Sequence, residues 1–348
     1  MVLGRLFRRE DLSEEEASAA LSAILAGEAT PAQIAAFAAA LRTKGETAAE
    51  MIGMVRAMRR YAVPLPIAGE LVDTCGTGGD RSGTINVSTL AALVVAAAGA
   101  RVCKHGNRAM SSLAGSADVL EALGVVVDLG PGGVARCVEE AGIGFCLAPR
   151  FHPAMRQAAP VRRELGAPTT FNLLGPLSNP AGARRQLVGI GDAAMAERIV
   201  TVLEAGGATH AMVVFGQDGL DELSTVTTST VLESVLTGDG RYRRRQFEVD
   251  PVSLGIKPAR LPELRGGGAG ENAALARAVL AGEPGPRGEF VRLNAAAALV
   301  VAGLAADLPA GLELAGHVLA SGSATTTLDR LVRASEEAAA EEAAAGTR

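Results

Sequence analysis

The chain has no tryptophan and only two tyrosines, and aromatic residues make up 3% of its 348 positions. Stacking platforms for single-stranded nucleic acid are built from such rings, so that use is poorly supplied. A basic excess is missing too: the formal net charge is -5, which offers a polyanion no attractive field. Any anionic ligand must be held by local structure. The four cysteines, Cys75, Cys103, Cys137 and Cys146, form no C-x-x-C pair and no Cys/His cluster at zinc spacing; they read as small, reduced, buried side chains. The Ala/Val runs near 90–100 and 295–306 are too short and interrupted to span a bilayer. Arg5, Arg8 and Arg9 lead into Asp11, Glu14, Glu15 and Glu16 rather than an apolar segment, which argues against a signal peptide. A cytoplasmic setting is expected, with neither membrane nor nucleic acid as partner.

What is present is ample core-forming material, 48% hydrophobic against 20% charged residues. The length suggests one large domain and a smaller one. The first sixty residues carry three helix starts. Ser13 precedes Glu16 by three positions, Thr30 precedes Gln33 with Pro31 between them, and Thr47 precedes Glu50. Each is the spacing of a capping box. Pro64 and Pro66 then break the pattern, closing a helical unit over 1–66. From Leu71 short apolar runs alternate with helix-like stretches. Strands are expected at 71–74, 101–104, 125–129, 144–147, 187–190 and 211–215, with helices between them. The fold class is therefore α/β: a small all-helical N-terminal domain, then a large domain over 67–335 with a mostly parallel central sheet. The β-branched, alternating stretches 225–237 and 241–249 add antiparallel edge material. Residues 336–348, rich in Ala and Glu, read as a frayed helix or tail.

Three loops at expected strand ends carry chemistry. The first strand runs into Cys75-Gly76-Thr77-Gly78-Gly79-Asp80, then Thr84, then Asn86-Val87-Ser88-Thr89 at the start of an Ala-rich helix. Glycines let backbone approach an anion, and a helix N-terminus offers free N–H groups and a positive dipole end. No Lys follows, so this is not a P-loop; a polar tract separates the glycines from the helix, so it is not the dinucleotide fingerprint. The next strand ends in Lys104-His105-Gly106-Asn107-Arg108, which supplies cations beside the same sheet edge. After a later strand, Asp221-Glu222 offers paired carboxylates suited to Mg²⁺ bridging a pyrophosphate. An Arg within 161–166 could bind a substrate carboxylate in bidentate fashion. His210 and His317 stand in no motif, and the glycine-rich run 266–270 looks peripheral to the chemistry.

Taken together, D-x-C-G-T-G-G-D at 73–80, N-V-S-T at 86–89, K-H-G-N-R at 104–108, V-R-R-E-L-G at 161–166, F-N-x-L-G-P-L-x-N-P at 171–180 and G-x-D-E at 219–222 resemble the anthranilate phosphoribosyltransferases of tryptophan biosynthesis. The resemblance runs from about Leu12 to Leu331. It implies a nucleoside-phosphorylase-like fold in which part of 162–185 joins the helical domain, and a homodimer formed through that domain. It further implies that phosphoribosyl pyrophosphate is held by Gly76, Gly79, Asp80, Thr84, Asn86, Val87, Ser88 and Thr89. Lys104, His105, Gly106, Asn107, Arg108, Ala109, Met110, Ser111, Ser112 and Ser116 would complete that site. Two Mg²⁺ ions are implied, one on Ser88 and Glu222 and one on Asp221 and Glu222. Anthranilate would meet Gly76, Asn107 and Arg162, the last through its carboxylate, with His152 and Gly175 along its channel.

The reaction implied is displacement of pyrophosphate at the ribose anomeric carbon by the aromatic amine. An aniline-type amine is largely neutral at pH 7, so no strong base is required, and no Ser or Cys here is paired with a base that would make it a nucleophile. Two rival readings follow from the same resemblance. A pyrimidine nucleoside phosphorylase should carry a Lys/Ser-bearing first loop, which residues 73–80 do not match. A non-enzymatic nucleic-acid-binding relative should show a Lys-rich helix and lack the acidic pair.

Overall fold

The N-terminal helices begin where their caps stand. In the computed structural model, which describes residues 2–78, 82–109 and 113–346, α1 (Val2–Phe7) is followed by α2 (Glu14–Leu25), α3 (Pro31–Lys44) and α4 (Ala48–Tyr61). Ser13, Thr30 and Thr47 accept from the N–H three residues on, and Glu16, Gln33 and Glu50 accept from the cap residue's own N–H. Buried Glu50 also accepts from Leu12 N–H and from Lys44 Nζ, both at 2.9 Å, so one cap side chain ties α2 and α3 to α4.

The α/β part runs β1 (Val72–Gly76), α5 (Val87–Ala97), β2 (Val102–Gly106), α6 (Ser116–Ala122), α7 (Pro131–Ala141) and β3 (Ile143–Leu147). Three short helices follow, α8 (Ala148–Phe151), α9 (Ala159–Leu165) and α10 (Thr170–Leu177). The chain then returns through β4 (Arg185–Gly189), α11 (Ala196–Ala205), β5 (His210–Gly216), β6 (Ser229–Leu236) and β7 (Tyr242–Val249). It ends in α12 (Leu261–Leu264), α13 (Ala269–Leu280), α14 (Pro286–Ala302), α15 (Leu308–Ala320) and α16 (Ser323–Gly346).

The seven strands lie in the order β3-β2-β1-β4-β5-β6-β7. Neighbours from β3 through β5 are parallel, and β6 and β7 add antiparallel, as the sequence suggests. Parallel strands are buried on both faces. Leu187, Met212 and Val214 belong to the core beneath α5 and α14, whereas Val188, Ala211, Val213 and Leu232 share a core with α2, α3, α4, α10 and α11. Arg59 of α4 donates to Gly206 O at 3.2 Å and to Leu177 O at 3.3 Å, joining the helical unit to α11 and α10. Chain order leaves β1 toward β2 and β3 on one side and runs from β4 to β5 on the other. The C-terminal ends of β1 and β4 therefore flank a topological switch point, where such sheets bind ligands.

Two expectations are corrected. Residues 125–129 form no strand. Val125, Val127 and Leu129 are buried, but the segment has no ladder partner; β2 already pairs with β3, and Val126 N–H donates to Ser335 Oγ at 3.0 Å instead. The Ala/Glu-rich stretch from Glu336 is not frayed but continues α16. Its Glu342 carboxylate accepts from Gly130 N–H at 2.9 Å and from Gly133 N–H at 3.3 Å, capping α7, whose own Gly130-Pro131-Gly132 start has no side-chain acceptor.

Candidate active site at the strand ends

Gly76 and Gly189 are register partners at the last position of β1 and β4. Both are glycine for the same reason. A Cβ on Gly189 would stand 1.6 Å from Asp221 O, and one on Gly76 would stand 2.5 Å from Asp221 Oδ2. The β5–β6 loop thus drops its acidic pair onto the ends of the two switch-point strands. Asp221 Oδ2 accepts from Gly78 N–H at 2.7 Å, and Thr77 N–H donates to Gly189 O at 2.8 Å. Gly78 itself has φ 68°, a conformation favouring glycine. Asp221 and Glu222 are 7% and 9% exposed. Behind them Asn294 of α14, fully buried, accepts from Leu223 N–H and donates to Leu223 O, both at 2.9 Å, and fixes the loop's height.

At the neighbouring strand end, Lys104 is buried and its Nζ donates to Thr74 O and, at 3.4 Å, to Ser88 Oγ. Thr74 Oγ1 donates to Ser88 O at 2.8 Å, holding the first turn of α5 against β1. Asp73 lies beneath, accepting from His105 N–H at 3.2 Å and from Asn179 Nδ2 at 2.8 Å. Burial raises its carboxyl above the ordinary value against the pull of Lys104. Val87 and Thr89 are buried, with their N–H groups on Ile85 O and Asn86 O. Gly106 is backed by Ser116, whose Oγ donates to Asn107 O at 3.2 Å. Arg108 turns toward α6: it pairs with Glu121, one contact at 2.7 Å, and with Asp118 at 3.4 Å, while Ala109 N–H donates to Asp118 Oδ2 at 2.8 Å. Gly79, Asp80, Met110, Ser111 and Ser112 lie outside the described residues.

His105 faces the other way. Its Nδ1 meets Gly175 O at 3.0 Å, and its ring lies 5.1 Å from that of His152, whose Nε2 meets Ser178 O at 3.0 Å. Both carbonyls can only accept, so Nδ1 of His105 and Nε2 of His152 carry the protons. Burial drops His105 to about 3, with His152 adding to the effect, and drops His152 to about 4; both rings are neutral at pH 7. Arg162 of α9 stands 6.0 Å over the Phe171 ring of α10, and burial draws its guanidinium below its ordinary value. The structure thus brings His105, His152 and Gly175 together, with Arg162 on the adjoining helix.

The donors present suit a hard cation. Asp221, Glu222 and Ser88 offer oxygen only, and among the described residues no group of three or more His, Cys, Asp and Glu side chains forms a cage. Mg²⁺ keeps waters and substrate oxygens in its shell, so two carboxylates suffice. Cys75, beside these acids, is no nucleophile: burial and the charge of Asp73 push its thiol well above the usual value. All four cysteines are free and buried. Gly189, Asn294 and Asn179 carry no role in the sequence reading. A lone Asn in the Ala-rich run of α14 was the available signal for one of them.

A helical bundle stands beside a parallel sheet, and the glycine loop and the acidic pair meet at its switch point. The α/β domain of a glycosyl transferase family matches residues 68–325, and its helical bundle domain matches 1–62. Anthranilate phosphoribosyltransferase of Roseiflexus castenholzii is 53% identical over 332 residues, 95% of this chain and 96% of that protein. The crystal structure of the Thermus thermophilus enzyme of that name aligns with a TM-score of 0.89 at 46% identity, covering 96% of this chain and 99% of the other. The Saccharomyces cerevisiae enzyme, solved with phosphoribosyl pyrophosphate and Mg, aligns at 0.88 with 25% identity over 96% and 97% of the two chains. The chain belongs to the anthranilate phosphoribosyltransferase family.

Proposed function

We infer that the chain transfers the 5-phosphoribosyl group from phosphoribosyl pyrophosphate to the amine of anthranilate, releasing pyrophosphate and N-(5-phosphoribosyl)anthranilate, with Mg²⁺ required. The observation that carries this reading is the chain-long likeness to enzymes of that name, joined to Asp221 seated on Gly76 and Gly78 at the switch point. The donor's pyrophosphate lies against the glycine loop and the start of α5. Asp221, Glu222 and Ser88 would hold two Mg²⁺ ions, which would supply positive charge to the leaving group. Arg162 takes the carboxylate of anthranilate, and neutral His105 and His152 line its approach without competing for that anion. Because the aniline nitrogen needs no deprotonation, the chain's contribution is orientation and charge placement across the cleft.

The helical unit over 1–66, with α9 and α10, and the α/β body from 67 through α16 form the two sides of that cleft. The chain acts as a homodimer through the helical unit, as the family likeness implies. A cytoplasmic setting is in keeping with four free cysteines, and among the described residues no helix is long and apolar enough to cross a membrane.

Purified protein given Mg²⁺ and phosphoribosyl pyrophosphate should consume anthranilate, followed as loss of its fluorescence. No turnover, alongside phosphorolysis of thymidine or uridine, would overturn the assignment in favour of a nucleoside phosphorylase. Arg162→Ala should raise KM for anthranilate about a hundredfold while moving donor KM by about twofold or less. Equal losses for both substrates would remove Arg162 from the acceptor side.

A further inference from the structure

The glycine-rich run 266–270 reads as peripheral in sequence, yet it is laced onto the tract that leads into α5. Ile85 N–H donates to Leu264 O at 3.0 Å, Gly266 N–H donates to Gly83 O at 2.9 Å, and Thr84 forms a β-bridge with Arg265. At the centre of this seam is Asn272, 4% exposed, one turn into α13. Its Oδ1 accepts from Gly267 N–H at 2.7 Å and its Nδ2 donates to Asn86 Oδ1 at 3.0 Å. The second bond decides how the Asn86 amide lies. With its oxygen engaged as acceptor, its Nδ2 is the group that reaches Ala114 O, at 3.1 Å. Two amides in series therefore connect α13, the start of α5 and the turn before α6. Asn86 makes no side-chain cap bond to α5, and among the described residues its amide is held by this relay. Gly266 is there for closeness: a Cβ on it would stand 2.1 Å from Asn272 Oδ1, which is held in its bond to Gly267 N–H.

We propose that Asn272 is a positioning residue for the sugar-pyrophosphate donor, acting through Asn86 to hold the first and second loops at a fixed separation. The proposal rests on the donor assignment made above. Without Asn272, Asn86 Oδ1 loses its donor, the amide is free to rotate, and the bond to Ala114 that joins the two loops goes with it. Among the described residues, His152 bonds Ser178 O and Gly175 O meets His105, and neither contact belongs to this relay.

Steady-state kinetics on Asn272→Ala, Asn86→Ala and the double variant test it, once each variant's thermal transition has shown it folded. Asn272→Ala should raise donor KM about tenfold and leave anthranilate KM and kcat within about threefold, and adding it to Asn86→Ala should change donor KM by less than about twofold. An unchanged donor KM, equal rises for both substrates, or effects that multiply in the double variant would overturn the proposal. If Asn272→Ala does not fold, Asn272→Asp carries the same cycle, because it keeps the acceptor for Gly267 and loses the donor to Asn86. Wild-type protein that leaves anthranilate unconsumed would instead overturn the functional reading itself.

Discussion

A methyl group at Gly189 would meet the carbonyl of Asp221 at 1.6 Å, far inside van der Waals contact, and that oxygen belongs to backbone. The β5–β6 loop must then lift, carrying Asp221 and Glu222 with it. Gly189→Ala should therefore cost on the order of a hundredfold in kcat/KM, since a 1 Å misplacement of positioning groups has that effect. It should also move the Mg²⁺ titration of activity to higher concentration, and a titration curve matching wild type would contradict this account of the acidic pair. Gly76 was legible because it stands in a run of glycines after a strand, although what it makes room for here is a carboxylate of the protein. Gly189 offered no such context: its constraint comes from a loop thirty-odd residues on. Arg108 shows the converse, a cation that the sequence assigns to the ligand and that the fold pairs with Glu121 and Asp118.

Among the elements, α2, α3 and α4 could be placed to within a residue because a capping box closes within four positions of chain. The start of α7 could not be understood locally, since its cap arrives from Glu342, on the far end of the chain. Glu342→Ala should lower stability by about 1 kcal/mol, the usual worth of a lost N-cap acceptor. The melting temperature should fall by about 1–2 °C, and an unchanged melting curve would show the contact to be idle. The neighbouring ion pairs of Arg136 with Glu140, Glu337 and Glu341 are partly exposed and add little. Residues 125–129 misled for a related reason. Alternating burial is the mark of an extended segment with one face inward, and only pairing partners make such a segment a strand.

For the whole molecule, stability is tied to pH by the two histidines buried at the cleft. In the unfolded chain each titrates near 6.5, whereas burial holds His105 at about 3 and His152 at about 4 in the fold. Between those values the unfolded chain binds protons that the native state refuses, so stability falls as pH drops below about 6.5, by up to about 1.4 kcal/mol per pH unit per histidine. Melting temperatures at pH 7 and pH 5 should differ more in wild type than in a His105→Gln/His152→Gln variant. Equal differences would mean that other groups govern the acid side.

The sequence by itself determined the helical unit, the strand–helix alternation and the three loops that carry charge, because caps, periodicity and glycine runs act within a few residues of chain. Which strand ends adjoin was decided only by the sheet order, which places β4 between β1 and β5 and so sets Asp221 on Gly76 and Gly189. The same holds for Asn272 on Asn86 and for Glu342 on α7. These contacts join residues more than thirty positions apart, and no local pattern encodes them; they exist because burying both faces of a parallel sheet leaves the chain one compact way to return.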